Sequence, residues 1–284
     1  MEEEKKLYPM RFVPIEQGSH SLQLADLGWA DSEIRNGYLA ADSISDVMDT
    51  YMDRVVGDDV FAWYGRQFPL LVSTLRGDVP LSVCPPDELA SQRWDLLGKS
   101  KLWYVVSAAP DARIGIGFAR DVSATELYEA CVGGTARTLL NVFRPEVGYA
   151  YLIPPGTVHC SSGKTTILEI AESSPLDFLL EDDGEQELTL AEALDFISYG
   201  PHRFPEAFPA KDGITPLARE EQFSVSEIKL RDPLQINSGG TFSLYSCVCG
   251  SARIQYPDHG ETFSEGETIL VPSELEKFVL LPLA

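Results

Sequence analysis

The sequence is short of positive charge. Across 284 residues it carries 22 Lys plus Arg against 44 Asp plus Glu, a formal charge of −22. A field of that sign repels phosphate backbones and anionic headgroups, so neither nucleic acid nor a membrane surface is expected as a partner. It also lacks any apolar run near the ~20 residues of a membrane-spanning helix. The opening Met-Glu-Glu-Glu-Lys-Lys is not followed by the apolar core of a signal peptide. The five cysteines (84, 131, 160, 247, 249) are odd in number and show no framework spacing. A reducing, cytoplasmic setting is expected. Histidine is scarcest of all, with only His20, His159, His202 and His259. A histidine-rich metal site would need most of them in one place.

What is present is globular: 44% of residues are hydrophobic and 23% charged. Residues 43–56 place Ile44, Val47, Met48, Tyr51, Met52 and Val55 at helical spacing after Ser43 as N-cap. Short helices are predicted over 58–66 and 123–132. Thr189-Leu-Ala-Glu192 reads as a capping box opening a helix to about Tyr199. Strands are predicted at 102–107, 113–118, 149–153, 165–171, 242–249, 252–256, 268–271 and 277–282. They are short and punctuated by Gly and Pro, as in sandwiches and small barrels. The proline-rich 200–217 reads as a connector.

An internal echo runs through the chain. Gly148-Tyr-Ala-Tyr-Leu-Ile-Pro154 and Gly266-Glu-Thr-Ile-Leu-Val-Pro272 share one frame, and Ala112-Arg113-Ile114 returns as Ala252-Arg253-Ile254. Tyr104 and Tyr245 lie in the strands before them. Two copies of one β-unit are expected. Five residues past Pro154 comes His159, and five past Pro272 comes Lys277. Any metal site therefore belongs to the first copy.

Several ordered motifs carry a resemblance. Tyr8-Pro-Met-Arg-Phe12, Phe68-Pro-Leu-Leu71, Gly98-Lys-Ser-Lys-Leu-Trp-Tyr-Val105 and Ile153-Pro-Pro-Gly-Thr-Val-His159 resemble segments of the cupin-type (class I) mannose-6-phosphate isomerases in their short bacterial form. The third looks like the family's "GKTEMWYV" and the fourth like its "IPAGTVH". The resemblance implies a mainly β fold of two tandem cupin-like (jelly-roll) barrels with additional helices. It divides the chain into a first barrel with helical decoration at 1–188, a helical and proline-rich connector at 189–216, and a second barrel at 217–284. It implies a zinc-dependent aldose–ketose isomerase that interconverts mannose 6-phosphate and fructose 6-phosphate through an enediol. Its implied ligands are Gln and His of "QVHP", Glu of "GKTE" and His of "GTVH", assisted by an Arg.

Carried over residue by residue, the resemblance thins at the site. His159 matches the last His. The Glu position holds Lys101, whose ammonium has no lone pair for a cation. The Gln/His pair falls on Ser82 and Cys84 in one register, and on Cys84 and Pro86 in the other. The Arg position falls near Leu179. Lys99 matches the family's active-site Lys, and Asp182 survives. The expectations are therefore Lys99 as the catalytic residue, His159 and Cys84 as an incomplete metal site, and Lys99, Lys101, Ser82 and Lys164 as sugar-phosphate contacts. Asp87, Glu169 or Cys160 would have to complete the metal site. The cofactor expected is none, or a weakly bound divalent metal, zinc in the family.

Other features have bland readings. Cys247 and Cys249 are read as buried strand thiols. Asp182, Asp183, Glu181 and Glu185 are read as a solvated acidic loop, and Trp63, Tyr64, Trp94 and Trp103 as core. The function expected is an isomerase-like protein, catalytically impaired, that binds a carbohydrate or sugar phosphate. The alternatives are an active metal-dependent isomerase with a rearranged site, and a non-catalytic partner of an intact isomerase.

Overall fold

The computed structural model describes residues 5–181, 189–203, 213–257 and 259–283. Asp182, Asp183, Glu185 and half of the proline-rich segment, 204–212, lie outside them. The fold is mainly β. Six strands form one sheet in the order Ile15–Gln17, His20–Leu24, Leu70–Arg76, Thr165–Glu172, Lys101–Ala108, Ala150–Ile153. Five form a second, in the order Phe178–Leu179, Val79–Val83, His159–Ser162, Arg113–Phe118, Leu140–Phe143. All their pairings are antiparallel. The two sheets pack on each other through Leu75, Trp103, Val105, Ile153 and Ile167 from one, and Val79, Ile114 and Ile116 from the other.

The later part of the chain repeats this plan on a smaller scale. Leu234–Asn237, Lys277–Pro282, Ser251–Tyr256 and His259–Ser264 make one sheet, and Thr268–Val271 with Ser243–Ser246 belong to another. Ile254, Phe263, Ile269, Val271, Phe278 and Leu280 fill the space between them. Among the described residues, hydrogen bonding closes neither part into a continuous ring. The jelly-roll expectation is met as packed sheets.

The first described strand, Met10–Arg11, does not join the sheets that follow it. It pairs with Thr268–Val271, Met10 facing Leu270 and Arg11 facing Ile269. Ion pairs reinforce this crossing. Glu267 takes both Arg11 (3.0 Å) and Arg35, and Glu274 takes Arg54 at 3.0 Å. One core cluster includes Met10, Phe68, Leu102 and Leu168 together with Phe223 and Leu270.

The helices follow their caps. Ser43 and Asp46 form a reciprocal capping box for Ile44–Tyr51. The predicted helix over 43–56 breaks at Met52, whose φ is +48°, and resumes as Asp53–Val56. Gly57 follows at φ +98°, where a Cβ would stand 2.3 Å from the Gly240 carbonyl, so only glycine fits. Thr189 caps its helix as read, but the helix is the single turn Leu190–Ala193. It stops because Ser198 N is given to Gly156 O, and Tyr199 O accepts from Val122 N, outside the helix.

Other expectations are corrected. Residues 213–217 are not connector but part of the strand Gly213–Arg219, which pairs with Ser224–Lys229 and takes Pro216 at an irregular step in register. Trp63 is 76% exposed rather than core. Cys247 and Cys249 lie in a turn beyond the strand Ser243–Ser246, the first half-buried and the second exposed. Their strand ends early because the Cys247 N–H and C=O both bond the facing turn, at Glu267 and Gly266.

Candidate functional site

The strand registers build a polar cluster at one end of the space between the first two sheets. Lys101 opens its strand with Ala171 opposite, and Trp103 faces Glu169. Side chains alternate along a strand, so Lys101, Trp103 and Glu169 share the inner face. From the opposing sheet, His159 lies across from Ser82. Phe178 pairs with Val83, which sets Asp177 beside Cys84 at the strand ends.

Asp177 is the hub. Its Oδ2 accepts from Lys99 Nζ at 2.7 Å and its Oδ1 from Lys101 Nζ at 2.6 Å. The Cys84 thiol also donates to Oδ1, at 3.0 Å. Lys101 lies 3.6 Å from Glu169. Glu169 is itself held by Trp103 Nε1 at 2.7 Å and Ser73 Oγ at 3.3 Å. Lys99, Lys101, Glu169, Cys84, Ser82 and His159 are all buried, whereas the Asp177 side chain is 35% exposed and forms the cluster's open edge.

The charges follow from these contacts. Burial pushes the Asp177 carboxyl up, but the Lys101 and Lys99 ammoniums outweigh it and hold it well below the usual carboxylate range. Burial lowers Lys101, and Asp177, Cys84 and Glu169 reverse that, so it stays an ammonium. Burial raises Glu169 and Lys101 brings it down. Burial drives the Cys84 thiol far up, so it keeps its proton. His159 is lowered to about 4, by burial first and the Lys101 ammonium second, and is neutral. Its Nδ1 stands 2.9 Å from the Thr157 carbonyl and therefore carries the proton. Nε2 is left as acceptor, and Ser82 Oγ donates to it at 3.2 Å.

Of the residues singled out by sequence, Lys99, Lys101, Ser82, Cys84 and His159 come together. Lys164 does not. It is exposed, beside Thr165, at the opposite end of its strand from Ala171, the partner of Lys101. Glu169 joins the cluster. Asp87 instead accepts from Gly98 N, and Cys160 packs in a separate apolar cluster. Asp177 was not singled out by sequence. The only signal for it is indirect: two lysines two residues apart on an inward-facing strand need a counter-charge.

Cys84, His159 and Asp177 bring three ligand atoms within 4.8 Å of one another. That donor set does not fit a divalent ion as it stands. Its carboxylate already carries two ammoniums, its thiol is protonated, and its imidazole nitrogen is occupied by Ser82. A cation drawn to Asp177 would meet Lys101 first.

Comparison with known proteins fits this architecture. Residues 213–281 match the model of the mannose-6-phosphate isomerase cupin domain. The chain is 28% identical over 230 residues to the mannose-6-phosphate isomerase ManA of Bacillus subtilis, covering 76% of this chain and 73% of that one. It is 26% identical over 223 residues to the mannose-6-phosphate isomerase of Streptococcus mutans, covering 74% and 70%. A crystal structure of the Bacillus subtilis mannose 6-phosphate isomerase superposes with a TM-score of 0.83 at 21% identity, over 96% of each chain.

The chain is similar to the cupin-type mannose-6-phosphate isomerases, in sequence over about three quarters of its length and in fold over nearly all of it. That family is metal-dependent, and the Cys84, His159 and Asp177 triad is where this isomerase-like chain places possible ligand atoms.

Proposed function

We propose that this protein is a catalytically impaired relative of the mannose-6-phosphate isomerases that binds a carbohydrate or sugar phosphate at the Asp177 cluster. One observation carries the reading: Asp177, beside Cys84 and His159, is occupied by Lys99 and Lys101. Moving a proton between C1 and C2 of a sugar needs a base poised near the working pH and a polarising charge on the sugar oxygens. The cluster's carboxylates are ion-paired and weak as bases. Its imidazole is spoken for, and Lys101 is held protonated. Glu172, raised to about 7 by burial, is an odd number of residues from Glu169 and so lies on the other face of the strand.

Binding remains within reach of these residues. Asp177 offers its open edge to sugar hydroxyls, and Lys99 and Lys101 behind it supply positive charge to a ligand phosphate that draws Asp177 aside. Ser82 and His159 are adjacent polar groups. The site lies in the first of two units, 1–188, and we assign the second, 217–284, a structural role. The five unpaired thiols support a cytoplasmic setting.

The test is an isomerase assay with mannose 6-phosphate, with and without added zinc, beside thermal melts with mannose, mannose 6-phosphate and fructose 6-phosphate. No turnover, with a melting temperature raised by a sugar phosphate, is expected. Zinc-dependent turnover abolished by His159→Ala would overturn the reading in favour of a working isomerase with a rearranged site. Melts unmoved by any of the sugars would overturn the binding half.

A further inference from the structure

The groups between the first two sheets are arranged as ligands are arranged around an ion. Glu169 is fixed from behind by Trp103 and Ser73, and Asp177 is fixed by Lys99 and Cys84. Both carboxylates turn an oxygen toward one point. At that point stands Lys101 Nζ, 2.6 Å from Asp177 and 3.6 Å from Glu169, on a residue only 4% exposed. We propose that the Lys101 ammonium is the resident cation of this site, permanently occupying the place and charge-balancing role that a divalent ion has in a metal-dependent one.

The charge count supports it. Lys99 and Lys101 together supply two positive charges, as one divalent ion does, against the two negative charges of Asp177 and Glu169. Two carboxylates converging in a low-dielectric space repel each other and need that compensation. A tethered ammonium provides it without dissociating. An ammonium donates three hydrogen bonds from a distance near 2.7 Å, whereas zinc draws oxygen to ~2.0–2.2 Å. The 2.6 Å to Asp177 is an ammonium hydrogen bond and the 3.6 Å to Glu169 an ion-pair contact, and both are longer than a zinc–oxygen bond. The His159 imidazole, though its ligand nitrogen lies within 4.8 Å of Cys84 and Asp177, is engaged by Ser82 and packs edge-on against Trp103, with ring centroids 5.2 Å apart.

The inference shares with the functional reading the premise that the site works without metal. It does not depend on what sugar, if any, binds.

The test compares the unsubstituted protein with Lys101→Met, which is shorter by one atom, keeps an unbranched apolar stem and removes the charge. Cobalt(II) is titrated while its visible absorption is followed, and zinc content is measured by mass spectrometry after dialysis against zinc. The unsubstituted protein is expected to take up neither ion stoichiometrically and to melt at the same temperature with EDTA as with zinc. Lys101→Met, left with Cys84, His159, Asp177 and Glu169 and one fewer cation, is expected to bind cobalt(II) about 100-fold more tightly, the order expected when one like charge leaves direct contact. Its melting temperature should fall, and then recover with cobalt(II) or methylammonium. Adding Asp177→Asn to Lys101→Met should abolish the gain. Stoichiometric cobalt(II) in the protein with Lys101 intact overturns the inference, as does equal affinity in both proteins. If Lys101→Met does not fold, the unsubstituted protein decides: a melt that EDTA lowers and zinc restores overturns the proposal, and an indifferent melt sustains it. A failure of sugar phosphates to shift the melt touches only the functional reading.

Discussion

The two parts of the molecule use the same strand plan and place different chemistry on it. In the first, Lys101 faces Ile153 and Trp103 faces Tyr151 across a strand pair. In the second, Ser243 faces Val271 and Tyr245 faces Ile269. With the two Pro-ended strands superposed, Ser243 stands for Lys101 and Tyr245 for Trp103. The other sheets agree. Gly115 faces Cys160 and Ile116 faces His159, while Gln255 faces Val279, so Phe278 takes the place of His159. The aromatic pairing is retained: Trp103 and His159 meet edge-on with planes at 82°, and Tyr245 and Phe278 at 85°. Ile236, facing Phe278, replaces Ser82. Counting from proline had given Lys277 as the counterpart of His159. One extra residue after Pro272 makes that count wrong by one. The scaffold thus survives with His159 and Ser82 exchanged for apolar residues and Lys101 for an uncharged serine, so the strand plan does not require the charged cluster.

The comparison breaks first at Asp177. Asp177→Asn leaves Lys99 and Lys101 buried with one counter-charge fewer. It should cost about 3 kcal/mol in urea unfolding, the lower end for a broken buried pair because Asp177 is partly open to water. A loss below about 1 kcal/mol would show that the lysines find another partner. Phe278→His is the sharpening experiment. It installs an imidazole opposite Ile236, where His159 has Ser82, and should cost about 2 kcal/mol for burying an unpaired ring nitrogen.

The titrating groups of the cluster give a pH signature. His159 sits at about 4 when folded against 6.5 when unfolded. Between those values the unfolded chain binds more protons, so stability falls as pH drops. Asp177, held low, adds a loss at more acid pH. Glu172 works the other way. Burial holds it at about 7 against 4.5, so the folded chain binds more protons there and stability falls as pH rises. From about pH 4.5 to 6.5 the two slopes oppose each other, each on the order of 1 kcal/mol per pH unit at most. Glu172→Gln should therefore steepen the acid loss, and His159→Gln should flatten it. Stability curves that stay parallel to the parent's across this window would refute both assignments.

At the small end, Ser43→Ala should cost about 1 kcal/mol by removing the cap of Ile44–Tyr51. Lys277→Ala, at an exposed position, should stay within about 0.5 kcal/mol.

Much of this was legible before any coordinates. The alternating and apolar runs marked the strands, and Ser43 and Thr189 announced their helices because a side-chain oxygen three residues before an amide is a local fact. Lys99, Lys101, Ser82, Cys84 and His159 were legible from their motif positions. Asp177 was not, because its partners lie 76, 78 and 93 residues away in the chain and no periodicity links them. The exposure of Trp63 was hidden for a similar reason: an aromatic residue in an amphipathic stretch says nothing about whether a neighbour arrives to cover it. The register slip at Phe278 needed the ladder itself.

The pairing of Met10–Arg11 with Thr268–Val271 has a consequence during biosynthesis. Its two sides are about 260 residues apart. At ordinary ribosomal speed the earlier one waits on the order of ten seconds to a minute before the later one emerges. The strands around Lys101 and His159 can associate within that interval, but the last sheet has to be finished by residues made about 260 positions earlier. The molecule is therefore closed like a clasp, and the step that fastens it waits until Thr268–Val271 has emerged.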